Sequence, residues 1–177
     1  MKREDEQLIT ACCQHDPVAC KKLYDQYAAG MLGVIMRYVD DRDTAQDILH
    51  DGFVKVFTSL KTLRSSESLS SWIKRIMINT AITSLREFSL MQSIESADPA
   101  CLIDVPVEEF LPYDAEQVAH AIRQLPEFTR TIFNLHAVDG YTYDELAKMY
   151  NVKPVSVRSH VCRAKMQLVQ ILKGTTN

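Results

Sequence analysis

The sequence predicts an all-α protein: two small helical domains joined by an acidic, proline-containing linker, the C-terminal one a four-helix helix-turn-helix domain. Three observations lead there. Apolar residues recur at helical spacing over most of the chain up to Phe88. Five glycines and six prolines in 177 residues supply few turns, which disfavours a sheet protein. Ser89 to Asp114 breaks the helical pattern, holding Pro99, Pro106 and Pro112, six acidic residues and no basic one. The length suits one ordinary domain or two small ones.

The elements follow in order. Leu23, Tyr27, Met31, Val34, Ile35 and Tyr38 line one face of a helix. Ala45, Ile48, Leu49, Phe53, Val56, Phe57 and Leu60 line the next, expected from Thr44 to about Leu60. Lys61 to Ser71 is rich in serine and reads as a loop. From Trp72 to Phe88 the chain is apolar on most sides, as a central helix would be. The N-terminal domain is thus expected over residues 1–89. Residues 90–113 are expected to be a flexible acidic linker, because proline breaks helices and this composition resists burial. Two readings of its acidity stand side by side: a solvated tether, or a mimic of nucleic acid that occupies a basic channel in a partner.

Four helices are expected in the C-terminal domain, residues 114–177. The first runs from Ala115 to Leu125. Pro126 suits the first position of the second, which Gly140 ends. Thr142 and Glu145 form a T-x-x-E capping box for the third. Asn151 closes it, since asparagine tolerates the left-handed conformation of a tight turn. Pro154 opens the fourth, which runs to about Leu172.

Charge is sorted along the chain. The formal net charge is −3, which argues against a polyanionic partner, yet residues 146–177 carry six basic residues and no acid. Residues 90–145 carry eleven acids and two bases. A sorted distribution matters more for binding nucleic acid than the total.

The last two helices, joined by a turn of about three residues, fit a helix-turn-helix. Leu146 and Ala147 are expected to face Val157, Val161, Ala164 and Leu168, with Val152 plugging the core at the turn. The outward face is expected to carry Lys153, Ser156, Arg158, Ser159, Cys162, Arg163 and Lys165. Residues near the start of such a helix reach base edges in the major groove, so Ser156, Arg158 and Ser159 are assigned to bases. Arg163 and Lys165 are assigned to phosphates. A solvated basic face on an ordinary hairpin is the plainer alternative, but solvated faces usually mix signs.

The N-terminal domain offers two polar surfaces. Asp47, Asp51, Val54 and Thr58 share the outer face of one helix, either plain surface or a dock for a partner with a basic rim. Arg75, Asn79, Thr83 and Arg86 form a stripe on the helix from Trp72. With Lys61 and Arg64 in the preceding loop, this stripe and Trp72 could hold an unstacked strand, which needs positive charge beside aromatic surface. Alternatively Trp72 is a core residue and Asn79 a satisfied polar group between helices.

Catalysis is not indicated. Asp40, Asp41, Asp43 and Asp47 with His50 suggest a carboxylate site, but they sit at a helix start, where acids favour the dipole. There is no phosphate-binding glycine loop, metal-ligand spacing or nucleophile elbow, so no enzyme activity, cofactor or metal is expected. The five cysteines, Cys12, Cys13, Cys20, Cys101 and Cys162, are odd in number and lack C-x-x-C spacing. They read as reduced thiols of a cytoplasmic protein, a redox-sensing pair being the alternative. No apolar run is long enough for export or membrane insertion.

Taken together, these residues resemble the extracytoplasmic-function (ECF) group of bacterial sigma factors, which keep only regions 2 and 4. The resemblance covers about Leu23 to Phe88 and Leu125 to Leu172. It rests on Leu23-Tyr24 with Tyr27, on the run from Ala45 to Phe57, on Ser71-Trp72-Ile73 with Arg75-Ile76 and Asn79, and on Leu85-Arg86. It continues in Leu125-Pro126-Glu127 with Arg130, Gly140 to Tyr143 with Glu145-Leu146-Ala147, and Ser156-Val157 with Arg163-Ala164-Lys165. Each piece is weak singly, but their order and spacing together are specific.

The resemblance implies a transcription initiation factor, monomeric when free of polymerase. Asp47, Asp51 and Val54 would bind core RNA polymerase. Lys61, Arg64, Trp72, Arg75, Asn79 and Arg86 would hold the opened −10 promoter element, and the helix from Lys153 would read the −35 element as duplex DNA. Many members of the group are held inactive by an anti-sigma factor, so such a partner is a further expectation. A stand-alone helix-turn-helix regulator with an N-terminal interaction domain is the rival reading. There are departures. Gly52 stands inside a helix where the group more often has a larger apolar residue, at about 1 kcal/mol of helix propensity. Gln46 and Thr83 each replace a usual acid. Lys153, Pro154 and Val155 replace a serine- and glycine-containing turn, which leaves the promoter preference unassigned.

Overall fold

A computed structural model describes residues 3–63, 68–86 and 105–175. Its chain contacts divide it into two compact units, Met1–Phe88 and Ser89–Asn177. All regular structure among the described residues is helical.

The first unit holds α1 (Arg3–Cys13), α2 (Pro17–Ile35), α3 (Arg42–Ser59) and α4 (Leu69–Arg86). Local chemistry sets the helix starts. Asp16 caps α2 by accepting from the Val18 amide at 2.9 Å, and Pro17 supplies a preset first residue. Asp41 caps α3 by accepting from the Thr44 amide at 2.7 Å and the Thr44 hydroxyl at 2.6 Å. This moves the helix start to Arg42, two residues ahead of the expected Thr44. The Thr44 hydrogen bonds hold the Asp41 carboxyl below its ordinary range. Asp41 is therefore a cap, which accounts for one member of the acidic run.

Packing then selects the buried faces. Helix α3 packs on α2 and α4, and α1 packs on α2. Leu23, Ile35, Tyr38, Ile48, Phe53, Leu60, Ile73, Met77, Ile78 and Ile82 are buried. Gly52 explains itself here: a Cβ at that position would overlap the Met77 sulfur. The residue that departs from the family pattern makes room for a methionine on the facing helix, whose flexible thioether fills the gap.

The second unit holds α5 (Ala115–Arg123), α6 (Glu127–Phe133), α7 (Tyr143–Tyr150) and α8 (Pro154–Thr175). Asp114 and Gln117 form a capping box at the start of α5. Pro126 is the residue before α6 and not its first turn. Helix α6 does not stop cleanly. It runs into a π-helical turn, Asn134–Val138, in which the Asp139 amide donates to the Asn134 carbonyl at 2.9 Å. Gly140 follows at φ +77°, a left-handed conformation that glycine adopts without strain. Helices α5, α6 and α7 all pack on α8.

The end of the expected linker belongs to this unit. Val107–Phe110 forms a 3-10 turn. Phe110 and Tyr113 pack on the cluster of Ala121, Leu125, Phe133, Ala164, Leu168 and Leu172. Glu109 also pairs with Lys173 at 2.8 Å. Most of the expected acidic linker falls in residues 87–104, outside the described residues.

Candidate nucleic-acid interface

Helices α7 and α8 build the helix-turn-helix from local signals. Thr142 accepts from the Glu145 amide at 3.2 Å, and a Glu145 carboxylate oxygen accepts from the Thr142 amide at 2.9 Å, completing the capping box. Asn151 ends α7 at φ 55°. The Val152 amide then donates to the Ala147 carbonyl at 2.9 Å, which reverses the chain in the short space before Pro154. Leu146, Ala147, Val157, Val161, Ala164 and Leu168 are all buried, as their spacing predicts. Ala164 and Leu168 also join the cluster built from α5 and α6, so one stripe of α8 serves more than the α7 contact.

The exposed part of α8 is narrower than the sequence suggests. Lys153 and Arg158 are exposed, and Ser156, Arg163 and Lys165 are half-buried. Ser159 and Cys162 are each 1% exposed, so neither presents its side chain as an outward contact. The reason is that three helices pack on α8 and its buried arc is wide. Serine and cysteine are small and weakly polar enough to be enclosed in it. His160 is enclosed as well, edge-on to Phe128 of α6 with ring centroids 5.2 Å apart. Phe128 in turn meets Tyr150 of α7 edge-on at 6.0 Å, so one aromatic group ties three helices together. Burial, then the nearby Arg163 charge, lowers the His160 pKa from 6.5 and favours neutral imidazole.

One exposed residue escaped the sequence reading as a functional candidate. Val155, in the first turn of α8, is 50% exposed beside Lys153 and Arg158. The sequence signal is an apolar residue whose next neighbour on the exposed helix face, Arg158, is charged.

The first unit carries the other two surfaces. On α3, Asp47, Asp51 and Thr58 are exposed, and Val54 between them is 62% exposed. On α4, Arg75, Asn79 and Thr83 are exposed along one stripe, and the Thr83 hydroxyl donates to the Asn79 carbonyl at 2.8 Å. Lys61 is exposed in a 3-10 turn, Leu60–Thr62, directly after α3. Arg64 and the side chain of Arg86 lie outside the described residues. The burial of Trp72 disfavours a stacking platform. This residue is buried in the first unit, 8% exposed, which fits the alternative of a core residue.

Among the described residues no group of histidine, cysteine and acidic side chains is arranged to hold a metal ion. Nor, among them, is any helix long and apolar enough to cross a membrane. Cys12 is buried and hydrogen-bonded to Cys20, and burial with the neighbouring Cys20 pushes its pKa up to about 12. Such a thiol stays protonated and is a poor nucleophile.

Comparison with known proteins matches both units. Residues 23–89 match the family model for sigma-70 region 2, and residues 115–168 match that for sigma-70 region 4. The chain is 29% identical over 184 residues to the RNA polymerase sigma-H factor of Pseudomonas aeruginosa, covering 97% of this chain and 95% of the relative. It is 27% identical over 173 residues to the ECF RNA polymerase sigma-E factor of Haemophilus influenzae, covering 91% of each. In fold it is similar to the sigma factor RpoE of Bartonella quintana, solved in complex with the anti-sigma factor NepR. The TM-score there is 0.52 at 18% identity, over 86% of this chain and 96% of that one. It is also similar to CnrH, solved in complex with the cytosolic domain of CnrY, with a TM-score of 0.52 at 18% identity over 96% and 97% of the two chains. With region 2 and region 4 present in that order on two separate helical units, the chain belongs to the sigma-70 family of RNA polymerase sigma factors, in its extracytoplasmic-function group.

Proposed function

We propose that this chain is a promoter-specificity factor of transcription initiation, which binds core RNA polymerase in the cytoplasm and directs it to a defined set of promoters. The observation that carries this reading is the joining of region 2 and region 4 in one chain. A stand-alone regulator needs a helix-turn-helix but has no use for region 2.

Each unit has its part. Asp47, Asp51 and Val54 on α3 dock on core polymerase, with the two charges meeting a basic rim and Val54, one turn beyond Asp51, supplying apolar contact. Lys61, Arg75 and Asn79, together with Arg64 and Arg86, hold the opened −10 strand by charge and hydrogen bonding. Lys153, Ser156 and Arg158 enter the major groove of the −35 duplex, while Arg163 and Lys165 neutralise phosphates. The acidic segment between the units runs along the polymerase toward the path of the nascent RNA, where its charge repels or mimics RNA. Nothing in this scheme makes or breaks a covalent bond, so the chain acts as a guide and not as an enzyme. A protein of the anti-sigma kind, as in the NepR complex of the Bartonella neighbour, holds the chain away from polymerase until it is needed.

Reconstitution tests the proposal. The chain mixed with core polymerase is expected to form a stable complex and to initiate at genomic sites sharing two spaced elements. The chain alone is expected to bind the same DNA weakly. Tight, sequence-specific binding by the chain alone, with no complex formed with core polymerase, would transfer the function to the rival regulator.

A further inference from the structure

The first turn of α8 holds an apolar side chain where a DNA-reading helix is expected to be polar. Val155 is 50% exposed, between exposed Lys153 and Arg158, while Val157 two residues on is buried in the unit. The core of the unit therefore does not claim Val155. A single exposed valine is ordinary on a protein surface, and its place makes the difference. Val18, Met36, Val54, Leu111, Val138 and Met166 are also exposed, but none of them lies in the first turn of the second helix of a helix-turn-helix. That turn is the part of such a motif that meets base edges.

We propose that Val155 is a specificity-determining residue whose side chain contacts the C5-methyl group of one thymine in the duplex element read by α8. The inference rests on the function proposed above. The chemistry leaves one matching group. Valine has no donor or acceptor, and every base pair in the major groove displays hydrogen-bonding atoms. The single apolar feature there is the thymine methyl. A β-branched side chain on a helix is held in one strongly preferred rotamer, so its methyl groups stand in a fixed place and discriminate by position. Arg158 lies one turn further along the same face, which places a guanine- or phosphate-binding group next to the apolar contact.

The test uses the full chain with core polymerase. Duplex templates are recovered by rounds of transcription from a pool whose upstream element is randomised. Each thymine of the recovered element is then replaced, one at a time, by deoxyuridine, which removes the C5-methyl and leaves the hydrogen-bonding edge intact. Wild-type holoenzyme is expected to lose about fourfold in affinity at one position, as removal of one methyl-sized apolar contact predicts. Val155→Ala is expected to lose a similar factor on unmodified DNA and to be indifferent to deoxyuridine at that position, whereas Val155→Ile stays sensitive. Circular dichroism of both variants is expected to match wild type, because the site is exposed. Indifference of the wild type at every thymine overturns the inference, as does equal sensitivity in Val155→Ala or a recovered element without thymine. In those three cases the holoenzyme still initiates, so the proposed function stands. Failure to initiate on any template overturns both.

Discussion

At the scale of single residues, two substitutions separate the forces that hold the units together. Gly52 is kept small by Met77, which is fully buried on the facing helix. Gly52→Val is expected to destabilise the first unit by about 1–3 kcal/mol through overpacking, in spite of its better helix propensity. Met77→Ala is expected to cost about 2–5 kcal/mol alone by leaving a cavity. Together the two should cost clearly less than their sum, because the valine enters space the methionine has left. Urea unfolding of the four proteins decides the matter, and additive losses would mean that the two side chains do not compete. His160 gives a pH dependence of known sign. Its folded pKa lies below 6.5, so the unfolded chain binds the proton more readily. The second unit is therefore at full stability above about pH 6.5 and loses stability as pH falls toward the folded value. His160→Leu is expected to flatten that part of the thermal-stability profile, and an unchanged slope between pH 7.5 and 5 would remove His160 as its cause.

At the scale of elements, α3 and α8 each present a face to be tested alone. Asp51 is exposed on α3, so reversing its charge leaves the core of the unit untouched. Asp51→Lys is expected to weaken the complex with core polymerase by tenfold or more, on the order of 1.4 kcal/mol, with helix content unchanged. Equal affinity in a pull-down titration would remove this face from the docking surface. For α8, Arg158→Ala separates two kinds of contact. If Arg158 reads a base, holoenzyme should lose about 1–3 kcal/mol of discrimination at one promoter position. A uniform loss across sequences, with a shallower salt dependence, would make it a phosphate contact.

At the scale of the whole molecule, the proposed function depends on two DNA contacts, one from each unit. In that proposal polymerase fixes where each unit meets the promoter, so the spacing between the two elements is expected to matter as much as their sequence. Inserting five base pairs between them turns one element about half a helical turn away from the other. Initiation in vitro is expected to fall by more than tenfold and to recover in part with an insertion of about ten base pairs, roughly one full turn. Indifference to the five-base-pair insertion would mean that only one unit reads DNA. The modest basic face of α8 and the net charge of −3 suit this division, since on the proposed function most of the DNA affinity would come from the larger complex.

The sequence by itself determined whatever a few neighbouring residues decide. The capping box of Thr142 and Glu145, the left-handed stop at Asn151, the start of α8 at Pro154 and the inward stripe of Leu146, Val157, Val161 and Leu168 all follow from local spacing and backbone preference. So does the family, because its motifs are short and ordered along the chain. Only the tertiary structure decided which sides of α4 and α8 are enclosed. Ser159, Cys162 and Trp72 are buried, Val155 is left outside, Gly52 yields to Met77, and the end of the acidic stretch at Phe110 and Tyr113 packs on the second unit. The physical reason is common to all of them. Helix starts and turns are set by hydrogen bonds within a few residues, whereas burial is set by helices distant in sequence, and small or amphipathic side chains carry no local sign of which side those helices will cover.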